Sequence, residues 1–253
     1  MSGSVIEPCL QEVAGWHVFD ANAHVGCSGV HGELALSPPE LLMEMDRFGI
    51  NRALVSHFAA AEYDAFEGNC ALAQVVDHRL VPCWAALPEA AFIKQLEKRK
   101  PAAVRLSFAP SRHNFSPALW CSGELCAFLE DRRILTLIAL EDIGWEALAA
   151  LLGNFTRLRV LLMEPGYRAD RYLFPLLSKF PTLYFDSSTY VAHRQLEYFA
   201  GRFGPERIVF GSRLPLYTPG AALAVLATAQ ISEQDKRAIA GGNLQSLLES
   251  SAQ

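Results

Sequence analysis

The sequence predicts an α/β fold, a single-domain (β/α)8 TIM barrel spanning residues 1–253. Three observations lead there. Short runs rich in Val, Ile, Leu and Phe alternate with helical patterns from end to end, the signature of parallel strands joined by crossover helices. The runs are numerous enough for a closed barrel, and each is followed by a helical pattern. The length of 253 residues is that of one such barrel, and a hydrophobic fraction of 51% supplies its core.

In chain order, strands are expected near Trp16–Asp20, Arg52–Ser56, Leu80–Ala86, Ala103–Leu106, Ile134–Ala139, Arg159–Met163, Thr182–Asp186 and Arg207–Phe210. Helices are expected at Pro39–Phe48, Phe66–Val76, Ala90–Lys100, Gly123–Glu130, Trp145–Leu152, Arg171–Lys179 and Leu196–Arg202, with Gly220–Ala229 and Glu233–Leu248 closing the chain. The first helix has clear punctuation. Ser37 caps it, Pro38 and Pro39 open it, and Glu40 precedes the apolar face of Leu41, Leu42 and Met45. Ser232 stands at capping distance from Asp235. Gly49, Gly204 and the turn at Pro181 end helices. No linker, composition shift or repeat divides the chain.

Composition excludes several function classes. With a net charge of -5 and no Lys/Arg run, nucleic acid is not an expected partner. No apolar stretch approaches the ~20 residues of a bilayer span, so no membrane partner is expected. Met1–Pro8 lacks a basic patch followed by an apolar core, so no secretory signal is expected. The 6 cysteines, at 9, 27, 70, 83, 121 and 126, form no C-x-x-C pair and read as reduced thiols of a cytoplasmic protein. Cys121 and Cys126 are near enough for a redox pair, which nothing around them favours. Apolar faces on the outer helices leave room for a homo-oligomer.

In a barrel the strands' C-terminal ends converge on one mouth, where reaction sites form. Polar residues follow nearly every expected strand: Asp20, Asn22 and His24 after the first, Ser56 and His57 at the second, Arg105 and Ser107 at the fourth. Glu141 and Asp142 follow the fifth, Glu164 the sixth, Asp186, Ser187 and Ser188 the seventh, Ser212 and Arg213 the eighth. Some have plainer uses. Asp20 suits a turn cap, Asp186 a loop cap, and Arg105 with Glu164 a structural ion pair. Their common location favours function for His24, Arg105, Glu164 and Arg213. The histidines at 17, 31, 78, 113 and 193 carry no spacing signal.

Two segments, Phe19-Asp20-Ala21-Asn22-Ala23-His24-Val25-Gly26 and Arg207-Ile208-Val209-Phe210-Gly211-Ser212-Arg213-Leu214-Pro215, resemble the amidohydrolase-2 branch of the metal-dependent hydrolase superfamily. Leu183–Ser188 is similar to its seventh strand, and Ile239–Leu248 to its C-terminal helix. The resemblance implies a metal held by a His-x-His pair, histidines after the fifth and sixth strands, and an aspartate after the eighth. Carried over, those positions fall at Asn22, His24, about Leu140 (with Glu141 beside it), near Glu164, and at Arg213. Only His24 matches. Catalytic zinc needs about three protein ligands. A dication about 4 Å from Arg213 would meet repulsion of about 8 kcal/mol at an effective dielectric near 20. No metal or other cofactor is therefore expected.

The leading expectation is a hydrolase or lyase that acts without metal on a small carboxylated or lactone-like molecule. His24, Glu164 and Arg213 would be catalytic, and Asn22, His57, Arg105, Glu141 and Ser188 would bind substrate. Arg213 would replace the ion's charge by pairing with Glu164 or Asp20. One alternative is a pseudoenzyme binding a small anion or a protein partner. A second keeps a divalent metal such as zinc on His24, Glu164 and Glu141.

Overall fold

All the expected strand runs form strands in the computed structural model, which describes residues 11–30, 32, 34–75 and 77–250. Met1–Pro8, Cys9, His31 and Val76, the expected end of the second helix, lie outside the described residues. The first run is β1, Val18–Cys27, followed by a short β2, Ala35–Leu36, that pairs back on it antiparallel. The second is β3, Ile50–His57. The third divides into β4, Leu80–Pro82, and β5, Trp84–Ala85. The rest are β6 (Ala103–Leu106), β7 (Leu135–Ala139), β8 (Val160–Met163), β9 (Leu183–Asp186) and β10 (Ile208–Val209). Apart from the β1–β2 pair, these strands run parallel.

The strand orders are β2-β1-β3-β4 and β10-β9-β8-β7-β6-β5. Their seam falls at Cys83, where the third run changes partners. Cys83 N donates to Val55 O at 2.8 Å, and Ala86 N donates to Arg105 O at 3.1 Å. At the other end of the order, Ala21 N donates to Phe210 O and His24 N to Leu214 O, each at 2.9 Å. These bonds set β1 beside the segment that follows β10. The result is a TIM-barrel fold. Val160, Leu161, Leu162 and Met163 of β8 are all fully buried, as expected of a parallel strand covered on both faces.

Most helices match the expected ranges to within a few residues. Pro38–Phe48 carries the full reciprocal capping box between Ser37 and Glu40, and it ends on Gly49 in the left-handed conformation, φ 70°. Four differences matter. β1 runs through Asn22 and His24 rather than stopping at Asp20, so those side chains belong to the barrel interior and not to a loop. The helix expected to begin at Gly123 starts at Leu119. Short helices at Phe58–Glu62 and Leu140–Ile143 follow β3 and β7 directly, with no sequence signal to announce them.

Finally, Glu233–Leu248 is not one helix. It is broken by a π-helical turn at Ala238–Gly242. There Ile239 O accepts from Phe210 N at 3.0 Å, and a Cβ on Gly241 would come within 2.0 Å of His17 O. The turn lets the chain press against β1. Cys27, Cys70, Cys83, Cys121 and Cys126 are free thiols, so Cys121 and Cys126 are not joined. Among the described residues, no helix is long and apolar enough to cross a membrane.

Candidate active site

The site is built upward from β1. At its base Asp20, 1% exposed, accepts from the backbone N–H groups of Asn22 and Ser212 at 2.9 Å each, and from the Ser212 hydroxyl. Burial pushes its carboxyl up. Asp20 therefore ties the first strand to the segment after the eighth and does not pair with Arg213. One layer higher, Asn22 is fully buried. Its amide nitrogen donates to Glu164 Oε1 at 3.1 Å and Asp186 Oδ2 at 3.2 Å, while its oxygen accepts from Arg105 Nη2 at 3.0 Å. Asp186 Oδ1 accepts from Glu164 N at 2.6 Å.

Glu164 and Arg213 meet above this layer, with Oε2 and Nη2 2.8 Å apart. Both side chains are largely covered, at 11% and 16% exposure. Both residues also adopt left-handed backbone, φ 57° and 61°. That conformation costs a non-glycine residue about 1–2 kcal/mol, and such strain gathers at functional sites. The Tyr217 hydroxyl accepts from Arg213 Nη1 at 3.1 Å, and its ring lies 5.1 Å from the guanidinium.

His24 is stacked on Phe58 with ring centroids 4.9 Å apart, and its Nδ1 has no hydrogen-bond partner among the described residues. Burial, then the charges of Arg105, Arg213 and Arg112, hold the imidazole neutral, well below the usual histidine range. Arg105 is 7% exposed. It makes no ion pair among the described residues, and its Nε is unpartnered. The expected Arg105–Glu164 pair is thus absent, because Arg213 occupies Glu164. Arg112, from the loop after β6, lies 3.1 Å from Glu62 and 3.4 Å from Glu141. Glu62 in turn accepts from Ser28 Oγ at 2.9 Å and Gly29 N at 2.7 Å.

A small cleft, partly open to solvent, lies between these groups. It is lined by His24, Arg105, Glu141, Asp142, Glu164 and Arg213 from the sequence reading, together with Phe58, Glu62 and Arg112. Three expected binding residues are placed elsewhere. Asn22 lies beneath the cleft, holding the groups that line it. Ser188 is buried and outside the lining. His57 Nδ1 accepts from Ala59 N at 3.2 Å, capping the Phe58–Glu62 helix, and its ring fills the space a Cβ on Gly26 would need. Glu62 and Arg112 were not found from sequence. The first stands on an unannounced helix, the second in an irregular loop.

Burial, then the charge of Glu164, push the Asp186 carboxyl up to about 7, against the hydrogen bonds it accepts. An unfolded Asp ionises near 4, so between about pH 4 and 7 Asp186 binds more proton in the folded chain than in the unfolded one. The stability of the wild type relative to Asp186→Asn should accordingly fall as pH rises through that window and level off above it. Melting temperature against pH for both proteins is the measurement, and a difference that rises across the window contradicts the assignment.

Fold and site together define a TIM-barrel protein with a charged cleft at the strands' C-terminal ends. The chain belongs to the amidohydrolase family, whose model matches residues 33–247. No curated protein matches the sequence. Among solved structures, a TIM-barrel protein of Bordetella bronchiseptica is similar at 16% identity and a TM-score of 0.76, covering 94% of this chain and 100% of that one. The 5-carboxyvanillate decarboxylase of Sphingomonas paucimobilis is similar at 15% identity and TM-score 0.72, covering 93% and 99%. A 2,6-dihydroxybenzoate decarboxylase from Rhizobium gives 14% identity and TM-score 0.71, covering 93% and 99%.

The residues at the family's metal position do not fit a metal ion. Asn22 is engaged at both ends of its amide, and each Glu164 oxygen already accepts from Asn22 or Arg213. Arg213 is a fixed cation without a lone pair to offer. Glu141 is turned to Arg112 and 58% exposed. His24 alone is unengaged. Among the described residues no group of three His, Cys, Asp or Glu side chains is arranged to hold an ion, where zinc catalysis needs about three.

Proposed function

We propose that the chain is an enzyme acting, as hydrolase or lyase, on a small carboxylated or lactone-like molecule held at the barrel mouth, without the family's metal. The observation that carries this is Arg105. A guanidinium that is 7% exposed and in no ion pair among the described residues is costly to bury unless something anionic completes it. A substrate carboxylate at Arg105 supplies that charge through charge-assisted hydrogen bonds. Membership of the amidohydrolase family, and the carboxylated substrates named for two of the similar structures, support the same class.

The other groups then divide the work. Glu164 retains acceptor capacity beyond its bonds to Asn22 and Arg213, since a carboxylate offers about four lone-pair sites; it orients water and takes its proton. Arg213 offers fixed positive charge to an oxyanion as it forms. His24, flanked by three arginines and held neutral, orients water or substrate and does not carry the proton.

Turnover in a panel of small carboxylic acids and lactones should persist in chelator. Arg213→Ala should lose far more rate than Arg213→Lys, which keeps the charge. Full activity of Arg213→Ala, or abolition by chelator, refutes the reading. The engagement of both Glu164 oxygens favours one second reading, a barrel that binds an acid without converting it. A stabilising acid that is never turned over would establish that instead.

A further inference from the structure

Of the buried atoms in the cleft wall that lack a hydrogen-bond partner among the described residues, one belongs to a carboxyl group. Asp142 Oδ1, on the short helix after β7, is buried without a hydrogen-bond partner among the described residues. Asp142 and Arg105 line the same cleft. Around Asp142 stand the charges of Arg112 and Arg105 on one side and Glu141 and Glu164 on the other. The remaining ionisable groups of the lining are Glu62, Arg213 and the neutral His24. Three arginines therefore face four carboxyl groups across the cleft, counting Asp142. Arg213 is matched by Glu164, and Arg112 by Glu62 and Glu141. Arg105 and Asp142 are the pair left over.

An incoming carboxylate at Arg105 changes the balance. With Asp142 ionised, the ligand enters a lining that is already net negative, and two carboxylates compete for one guanidinium. Each of two carboxylates drawn to one guanidinium disfavours the other's charge. With Asp142 protonated, the lining is neutral. Its carboxyl then turns from acceptor to donor and can share the ligand carboxylate with Arg105.

We infer that an acid enters this cleft together with one proton, which Asp142 carries, so that anion binding and protonation of Asp142 are a single linked event. This rests on the anion reading of Arg105 given above. The group is poised for it: burial first, opposed by Arg112 and Arg105, pushes Asp142 up to about 6. The wild-type protein therefore takes the proton from solution when it binds above that pH and holds it beforehand below it. Affinity for an anion is flat below about pH 6 and falls by about tenfold per unit above it.

Benzoate, a monoacid that stays ionised from pH 5 to 8, is the probe, titrated calorimetrically into the full chain. Repeating the titration in buffers of different ionisation enthalpy counts the protons taken up. Near pH 7.5 the expected uptake approaches one proton per benzoate. Asp142→Asn is permanently neutral and should bind at pH 8 about as tightly as the wild type at pH 5, with no uptake. Asp186→Asn removes the other carboxyl that titrates near neutrality and should leave uptake unchanged. Flat wild-type affinity between pH 6 and 8, uptake near zero, or uptake that survives in Asp142→Asn overturns the proposal while leaving Arg105 as the anion site. Failure of benzoate to bind at any pH overturns both. If Asp142→Asn does not fold, Asp142→Ser is read in its place, and the wild-type uptake decides alone.

Discussion

Arg105→Met is expected to abolish binding of small carboxylates while leaving the fold as stable as the parent, or more so. The substitution removes a buried cation that forms no ion pair among the described residues, and a desolvated charge opposes folding by several kcal/mol. Against this stands one lost hydrogen bond, from Arg105 Nη2 to the Asn22 oxygen. Leaving that oxygen unpaired costs about 1–3 kcal/mol. The two nearly offset, whereas nothing replaces Arg105 for the ligand. Denaturant melts and carboxylate titrations on the same preparation give both numbers. A loss of stability above about 3 kcal/mol, with binding retained, would make Arg105 a structural residue.

The second large effect concerns Arg213 and Glu164. Arg213→Ala should destabilise the chain by about 3 kcal/mol, because Glu164 is then left covered, unpaired and close to Asp186. Glu164→Gln should be milder, since the amide still accepts a hydrogen bond. Combining the two should recover more than half of the loss, a coupling of about 2 kcal/mol in a double-mutant cycle. Strict additivity would mean that the 2.8 Å contact contributes nothing to the fold. Arg213→Lys keeps a charge but loses the planar fork and its stacking on Tyr217, so it should fall between the parent and Ala.

These residues show what a sequence discloses. The barrel was legible because burial on both faces forces continuous apolar strands such as Val160–Met163, and because turn residues such as Gly49 mark where helices must end. His24, Glu164 and Arg213 were legible by location, each standing where strand alternation or a strand end aims it at the mouth. Partnership was not legible. Arg105 could have met Glu164 on position alone, yet Asn22 and Arg213 divide those contacts between them. The reach of β1 was misjudged for the same reason. Polar residues at 20 and 22 look like a loop until Ser212, Asp186 and Arg105 supply the partners that let them stay in a strand. Arg112 and Glu62 lie on irregular or very short elements, where no periodicity points anywhere.

Glu62 has a bearing on how molecules come and go. One carboxylate fastens the Ser28–Gly29 corner beyond β1, the helix beyond β3 and the Arg112 loop beyond β6. That arc of the rim is stitched shut, and prising it apart would strand a charge that is 4% exposed. A visitor is therefore not expected to enter the cleft by parting that arc.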